Sequence, residues 1–204
     1  MRRYCDNRQG TIPPGVFDSR LYDEFELRAK AVSAEVFRVT RADEAINIIL
    51  AIVNETGAKT VASVSCPLIE ASGIVDALKG NGVAVYTEQA HIAGHIGVAD
   101  IGMSGVAFGI AECGSVCQDA LAVEARLVSS LPPLHIAFME SRNIVPGIED
   151  ALEIISGFFT AGYVSWITGP SRTADIERVL TIGVHGPARL VIIAVDEGPD
   201  EGAA

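Results

Sequence analysis

The chain has 204 residues, room for one ordinary domain and marginal for two. Nearly half of them (49%) are apolar and only 20% are charged, which excludes general disorder and lets a core form without disulfides or metals. Fifteen Lys and Arg stand against 26 Asp and Glu, a net charge of −11. Four of the acids, Asp196, Glu197, Asp200 and Glu201, sit in the last nine residues and leave −7 on the rest. A body of that sign gains nothing from counterion release, so nucleic acid is not an expected partner.

No stretch reaches the ~20 apolar residues that a spanning helix needs, so no membrane span is expected. The longest, Ala45 to Val53, is interrupted by Asn47. Arg2 and Arg3 have no apolar run behind them, so the N-terminus is not expected to be a secretory signal. Cysteines 5, 66, 113 and 117 follow no disulfide spacing and read as free thiols, which predicts a cytoplasmic location.

Residues 1–19, with Gly10, Pro13, Pro14 and Gly15, read as an arm. Asp18 or Ser19 is expected to cap a helix with Leu21, Phe25 and Val32 on one face, followed by a strand over Val36–Val39. Thr40, with Glu44 near the capping-box position, opens a helix carrying Ala45, Ile46, Ile48, Ile49, Ile52 and Val53 that stops at Gly57. Thr60–Ser65 reads as a buried strand, Pro67 opens a helix to about Lys79, and Val83–Tyr86 is a further strand. Residues 90–130, rich in Gly and Ala, break this rhythm and read as an irregular insert where a site would be built. Leu134–Met139 is then a strand, Ile148–Phe159 a helix and Val164–Thr168 a strand. A helix near Thr173–Leu180 and a last strand over Leu190–Val195 follow. The acidic tail, 197–204, is expected to be disordered. The alternation predicts one α/β domain over 20–196, an open, mostly parallel sheet with helices on both faces in a Rossmann-like three-layer arrangement.

Three segments combine a strand end, glycine and a polar side chain, where ligands gather in open α/β sheets. In Thr168–Glu177, Gly169 and Pro170 shape a turn, Ser171 or Thr173 caps a helix, Asp175 favours its positive end, and Arg172 adds a cation. This is a candidate cradle for a small anion, a phosphate or carboxylate. The same residues also read as an ordinary capped helix start with Arg172 paired internally. In Ala111–Ser115, partial burial would suit Glu112 to acid–base or nucleophilic work, beside the Gly114-Ser115 turn. Cys113 and Cys117, four apart, read as inert thiols. His185, flanked by Gly183 and Gly186, is a candidate proton carrier if Glu112 and Arg172 converge on it. His91 and His95 are i, i+4 but lack a third ligand, so no metal site is expected, and His135 reads as structural. With no Gly-x-Gly-x-x-Gly after a strand and no cluster-type cysteine run, no cofactor is expected.

Five segments occur in order: Ala99-Asp100-Ile101-Gly102, Ile110-Ala111-Glu112-x-Gly114-Ser115, Leu131-Pro132-Pro133-x-His135-Ile136-Ala137, Gly169-Pro170-Ser171-Arg172-Thr173-Ala174-Asp175-Ile176-Glu177 and Gly183-Val184-His185-Gly186-Pro187. Together they resemble the LUD-domain family over about residues 20–196, with the fourth and fifth carrying most of the specificity. The resemblance implies an α/β fold similar to the sugar-phosphate isomerase and CoA-transferase superfamily. It also implies a bacterial role, with iron–sulfur partner proteins, in oxidising L-lactate to pyruvate. The family pattern is expected to carry Thr where this chain has Cys113, and Cys117 departs from it as well. An independent enzyme acting on a sugar phosphate, carboxylate or acyl-CoA is the alternative, with Glu112 and His185 catalytic and Gly114, Ser115, Gly169, Ser171, Arg172, Thr173 and Asp175 holding the ligand. A ligand sensor using the same pocket ranks third, and self-association into a homo-oligomer stays open.

Overall fold

A computed structural model describes residues 15–158, 163–173, 181–182 and 185–198. In chain order the elements are α1 (Ser19–Ala31), β1 (Ala34–Val39), α2 (Ala45–Thr56), β2 (Thr60–Ser63), α3 (Pro67–Ser72), α4 (Ile74–Gly80), β3 (Ala84–Tyr86), α5 (Gln89–His95) and β4 (Ile101–Gly105). They continue with β5 (Phe108–Ile110), β6 (Ser115–Asp119), α6 (Val123–Ser130), β7 (Leu134–Glu140), β8 (Ile144–Val145), α7 (Ile148–Phe158), β9 (Val164–Ile167), β10 (Arg172–Thr173), β11 (Thr181–Ile182) and β12 (Arg189–Val195).

Six strands form the main sheet in the order β1-β12-β7-β4-β2-β3, every neighbour parallel. The expected parallel α/β sheet is therefore present, and its strands are buried because helices cover both faces. Alternate residues divide the core. Val191, Ile193 and Val195 join Ile136, Phe138, Ile101, Met103 and Val61 against α2, α3 and α4. Leu190, Ile192 and Ala194 join Ala137, Met139 and Val36 on the opposite face, where α1 supplies Tyr22, Phe25 and Ala29. Toward the β2 side that face is covered by Ile92 of α5 and Val128 of α6. A second sheet, β8-β5-β6-β9, has two antiparallel pairs and one parallel pair, and α7 packs on it through Ala151 and Ile154.

Local signals behave as the residues dictate. The Asp18 carboxylate accepts the Arg20 N–H and caps α1. The Thr40 N–H donates to Glu44 Oε2, the reciprocal half of a capping box. The continuous helix expected over Pro67–Lys79 is instead two helices, because Gly73 takes φ +68°, a left-handed conformation that interrupts the hydrogen-bond ladder.

The irregular insert expected over 90–130 is absent. The segment holds α5, β4 at the centre of the main sheet, the β5–β6 hairpin and α6. Its small residues follow from close packing: a Cβ on Gly102 would lie 1.9 Å from the Val128 carbonyl oxygen of α6. A second correction concerns 173–180. Arg172 and Thr173 pair antiparallel with Ile182 and Thr181, so Thr173 lies in a strand rather than capping a helix. Residues 174–180, including Asp175, lie outside the described residues, as do 1–14 of the arm and most of the tail.

A buried polar chain crosses the β4 strip. Gln118 Nε2 donates to Ser104 Oγ at 2.9 Å, and Ser104 Oγ lies 2.9 Å from His135 Nε2. All three residues are inaccessible to solvent, and His135 Nδ1 has no partner among the described residues. His135 is structural, as its sequence position predicts. At the opening of β2, Asp100 accepts the Lys59 N–H, the Thr60 N–H and the Thr60 hydroxyl at 2.7–2.9 Å. Burial alone would raise the Asp100 carboxyl, but these three bonds outweigh it and hold the pKa below its ordinary value.

Candidate functional site

The β5–β6 hairpin and the loop after β9 meet beside the C-terminus of α1. In the antiparallel register Val116 lies opposite Ile167, which sets Ser115 opposite Thr168 one step further on. Their hydroxyl oxygens are 2.8 Å apart, and the Cys113 thiol donates to Ser115 Oγ at 3.0 Å. The thiol thus performs as donor in the place where the family pattern was expected to have a hydroxyl. The strip continues through Gly169 and Pro170 to Ser171, whose Oγ accepts the His185 N–H at 3.3 Å. Ser171 is half-buried, whereas Thr168 and His185 are exposed. Residues from three separated segments thus form a rim of two pairs, Ser115 with Thr168 and Ser171 with His185, in which Ser115 itself is buried.

Gly114 and Gly169 make this meeting possible. Gly114 has φ +64°, and a Cβ there would lie 2.2 Å from the Ala29 amide nitrogen of α1. At Gly169 the space is taken by the Val32 carbonyl oxygen, 2.6 Å from where a Cβ would sit. The missing side chains let two loops close on the end of α1.

Glu112 is turned elsewhere. It is exposed, so the partial burial expected of it is not found. Its Oε2 accepts the Ile148 N–H at 3.0 Å, and Asp150 Oδ2 accepts the Gly147 N–H at the same distance, so both carboxylates cap α7. Replacing Glu112 with Ala should lower stability by about 1 kcal/mol, the usual effect of a lost cap, as read by urea unfolding. Arg172 and Thr173 are described by backbone alone, through their pairing with β11.

His91 and His95 do not converge on a ligand set: His95 stacks on Tyr86 with ring centroids 4.2 Å apart, and its Nδ1 lies 2.9 Å from the His91 carbonyl oxygen. Among the described residues no three His, Cys, Asp or Glu side chains gather as a metal site. Among the described residues no two cysteines are joined by a disulfide. No helix among them is long and apolar enough to cross a membrane. Sequence reasoning gave Thr168 no role of its own. Only the cross-strand register reveals its partnership with Ser115, and two separated hydroxyls carry no periodic signal of it.

The LUD domain family model matches residues 22–195. Over 167 residues the chain is 31% identical to lactate utilization protein C of Halalkalibacterium halodurans, covering 78% of this chain and 71% of that protein. The protein of the same name from Bacillus pumilus is 26% identical over 190 residues, 87% of this chain and 79% of the relative. That of Bacillus subtilis matches at 36% over 104 residues, 48% of this chain and 43% of its own length, so against several curated relatives the aligned part spans less than half of the protein. A solved DUF162 family protein from Deinococcus radiodurans superposes with a TM-score of 0.57 at 21% identity, covering 87% of this chain and 97% of that one, which supports the fold. With the parallel sheet, the motif order and a match across nearly its whole described length, this chain belongs to the LUD domain family.

Proposed function

We propose that this chain is a component of a bacterial lactate-utilization system, working in the cytoplasm and assisting oxidation of L-lactate to pyruvate alongside iron–sulfur partner proteins. The observation that carries the reading is the 31% identity across 78% of the chain to a protein named for lactate utilization. The rim at Ser115, Thr168, Ser171 and His185 suits the recognition of a small carboxylate. Ser171 Oγ accepts from the His185 N–H, which leaves its own proton to donate to an anion. Thr168 and Ser115 share one hydrogen bond between them, so one hydroxyl proton of the pair is likewise available. On this reading the chain holds the carboxylate through hydroxyls and backbone N–H groups, while the two electrons and two protons that leave L-lactate on oxidation to pyruvate pass to the partner proteins and solvent. The engagement of Glu112 at the start of α7 favours this reading over independent catalysis by that carboxylate.

Two measurements test it. Deleting the gene in its source bacterium should abolish growth on L-lactate while sparing growth on glucose, and the tagged chain should recover brown, iron–sulfur-bearing proteins from the same cells. Normal lactate growth together with a chain that purifies alone would overturn the proposal. In a binding assay with L-lactate and pyruvate, Ser171→Ala should weaken affinity roughly tenfold or more, since a hydrogen bond to a charged group contributes about 1.5–3 kcal/mol.

A further inference from the structure

Beyond the hydroxyl rim, the carboxyl ends of β2 and β3 enclose a cleft of about 420 Å³. Its wall includes Ser63, the last residue of β2, and Thr87, the first after β3. Ser65 and Glu70 come from the β2–α3 segment, and Asp76 lies in the first turn of α4. The place is where ligands collect in parallel α/β sheets, at the carboxyl ends of neighbouring strands. Its volume falls in the range of small-molecule sites, about 300–1,000 Å³.

Two features of the cleft point to an occupant. Ser63 is 1% exposed and its hydroxyl has no hydrogen-bond partner among the described residues. Buried polar groups are as a rule satisfied, and Ser63 lines the cleft, the place from which a partner for its hydroxyl could come. The second feature is charge. Glu70 and Asp76 line the cleft, no Lys, Arg or His does, and neither carboxylate enters an ion pair among the described residues. Glu70 Oε1 accepts the Ser65 hydroxyl at 2.5 Å, which fixes one oxygen and leaves the other for a ligand. Ile69 supplies an apolar wall.

We propose that this cleft is a binding site for a small organic cation, a ligand with a protonated amine or guanidinium head that Glu70 and Asp76 receive and a further polar group that reaches Ser63. An anion is disfavoured there twice, by the two local carboxylates and by the net charge of −11. A bare divalent ion would need more carboxylate or imidazole ligands than the cleft offers. The site shares no residue with the Ser115–Thr168–Ser171 rim, so it stands or falls apart from the lactate reading.

Amide shift mapping by NMR with agmatine and spermidine as probes, against L-lactate, inorganic phosphate and glucose, tests it. Expected are saturable shifts at Ser63, Ser65, Gly73 and Thr87 with at least one of the two cations, and none there with the anions or the neutral sugar. The double variant Glu70→Gln/Asp76→Asn changes two exposed side chains and should keep its fold by circular dichroism while binding at least tenfold more weakly. Ser63→Ala should weaken binding several-fold without lowering the melting temperature, because it removes a hydroxyl that no group among the described residues satisfies. Three outcomes would each overturn the proposal: no saturable shifts with either cation, equal binding by the folded double variant, or occupation by phosphate or lactate instead.

Discussion

Substituting Gly114 with Ala should be among the most damaging single-methyl changes available in this protein, lowering stability by about 2–6 kcal/mol. Two effects add. A non-glycine residue held in the left-handed region costs about 1–3 kcal/mol, and the φ of +64° places Gly114 there. The new methyl would meet backbone, not a side chain that can swing away: the Ala29 nitrogen at 2.2 Å and the Arg28 carbonyl carbon at 2.5 Å. Overpacking of that kind costs a further 1–3 kcal/mol or so. Gly73→Ala is the matched control, with φ +68° and nothing within 4 Å of the added methyl, so only the conformational penalty of about 1–2 kcal/mol applies. Urea and thermal unfolding of both variants would measure the difference, which in a domain of this size corresponds to roughly 5–10 °C in Tm. Equal losses at the two positions would show that α1 yields to the hairpin and that the close approach is not a constraint.

The second large effect is a dependence on pH that a single imidazole sets. Complete burial pushes the pKa of His135 from 6.5 down to about 4, since the cation cannot be solvated between β4 and β7. The unfolded chain takes up that proton near 6.5 and the folded chain only near 4, so between the two values the unfolded state binds more protons. Stability is therefore fully present above pH 6.5 and falls as the pH drops through this window, by about 3 kcal/mol at pH 4. Asp100 acts lower. Its folded pKa lies below the ordinary 3.8, so its contribution is present above that value and is lost only beneath it. Unfolding midpoints measured between pH 7 and 4.5 thus isolate the histidine. His135→Gln, which keeps a hydrogen-bonding group near Ser104 but does not titrate, should flatten the profile across that interval. A profile unchanged by the substitution would assign the acid sensitivity to other groups.

The parts of the architecture that the sequence displays are those where chemistry and burial agree. β12 (Leu190-Val191-Ile192-Ile193) and β7 (Ile136-Ala137-Phe138-Met139) are apolar on both faces because both are covered, and they read directly as buried strands. β4 hides for the opposite reason. Ile101-Gly102-Met103-Ser104-Gly105 is as buried as its neighbours, yet α6 lies so close to it that a side chain at 102 has no room. Low strand propensity there is the imprint of tertiary packing, which no local window contains. The site divides along the same line. That the Ala111–Ser115 and Thr168–Ser171 segments belong together was legible as motif order, and the structure joins them through Ser115 and Thr168. The orientation of Glu112 was not, because the helix start it caps is contributed by residues 147–150, more than thirty positions downstream. The acidic cleft at Ser63 was invisible too: serine, threonine and glutamate on a short loop are ordinary surface residues until a sheet edge gathers them.

The strand order has a bearing on how the polypeptide is made. β1 lies at one margin of the main sheet, and among the described residues its neighbour there is β12, which is made much later. Throughout translation of the intervening 150 or so residues, Ala34–Val39 carries unpaired backbone groups and an apolar face ready for any other strand it meets. Until β12 is made, α1 can cover the apolar face of β1, and the sheet closes when β12 enters between β1 and β7.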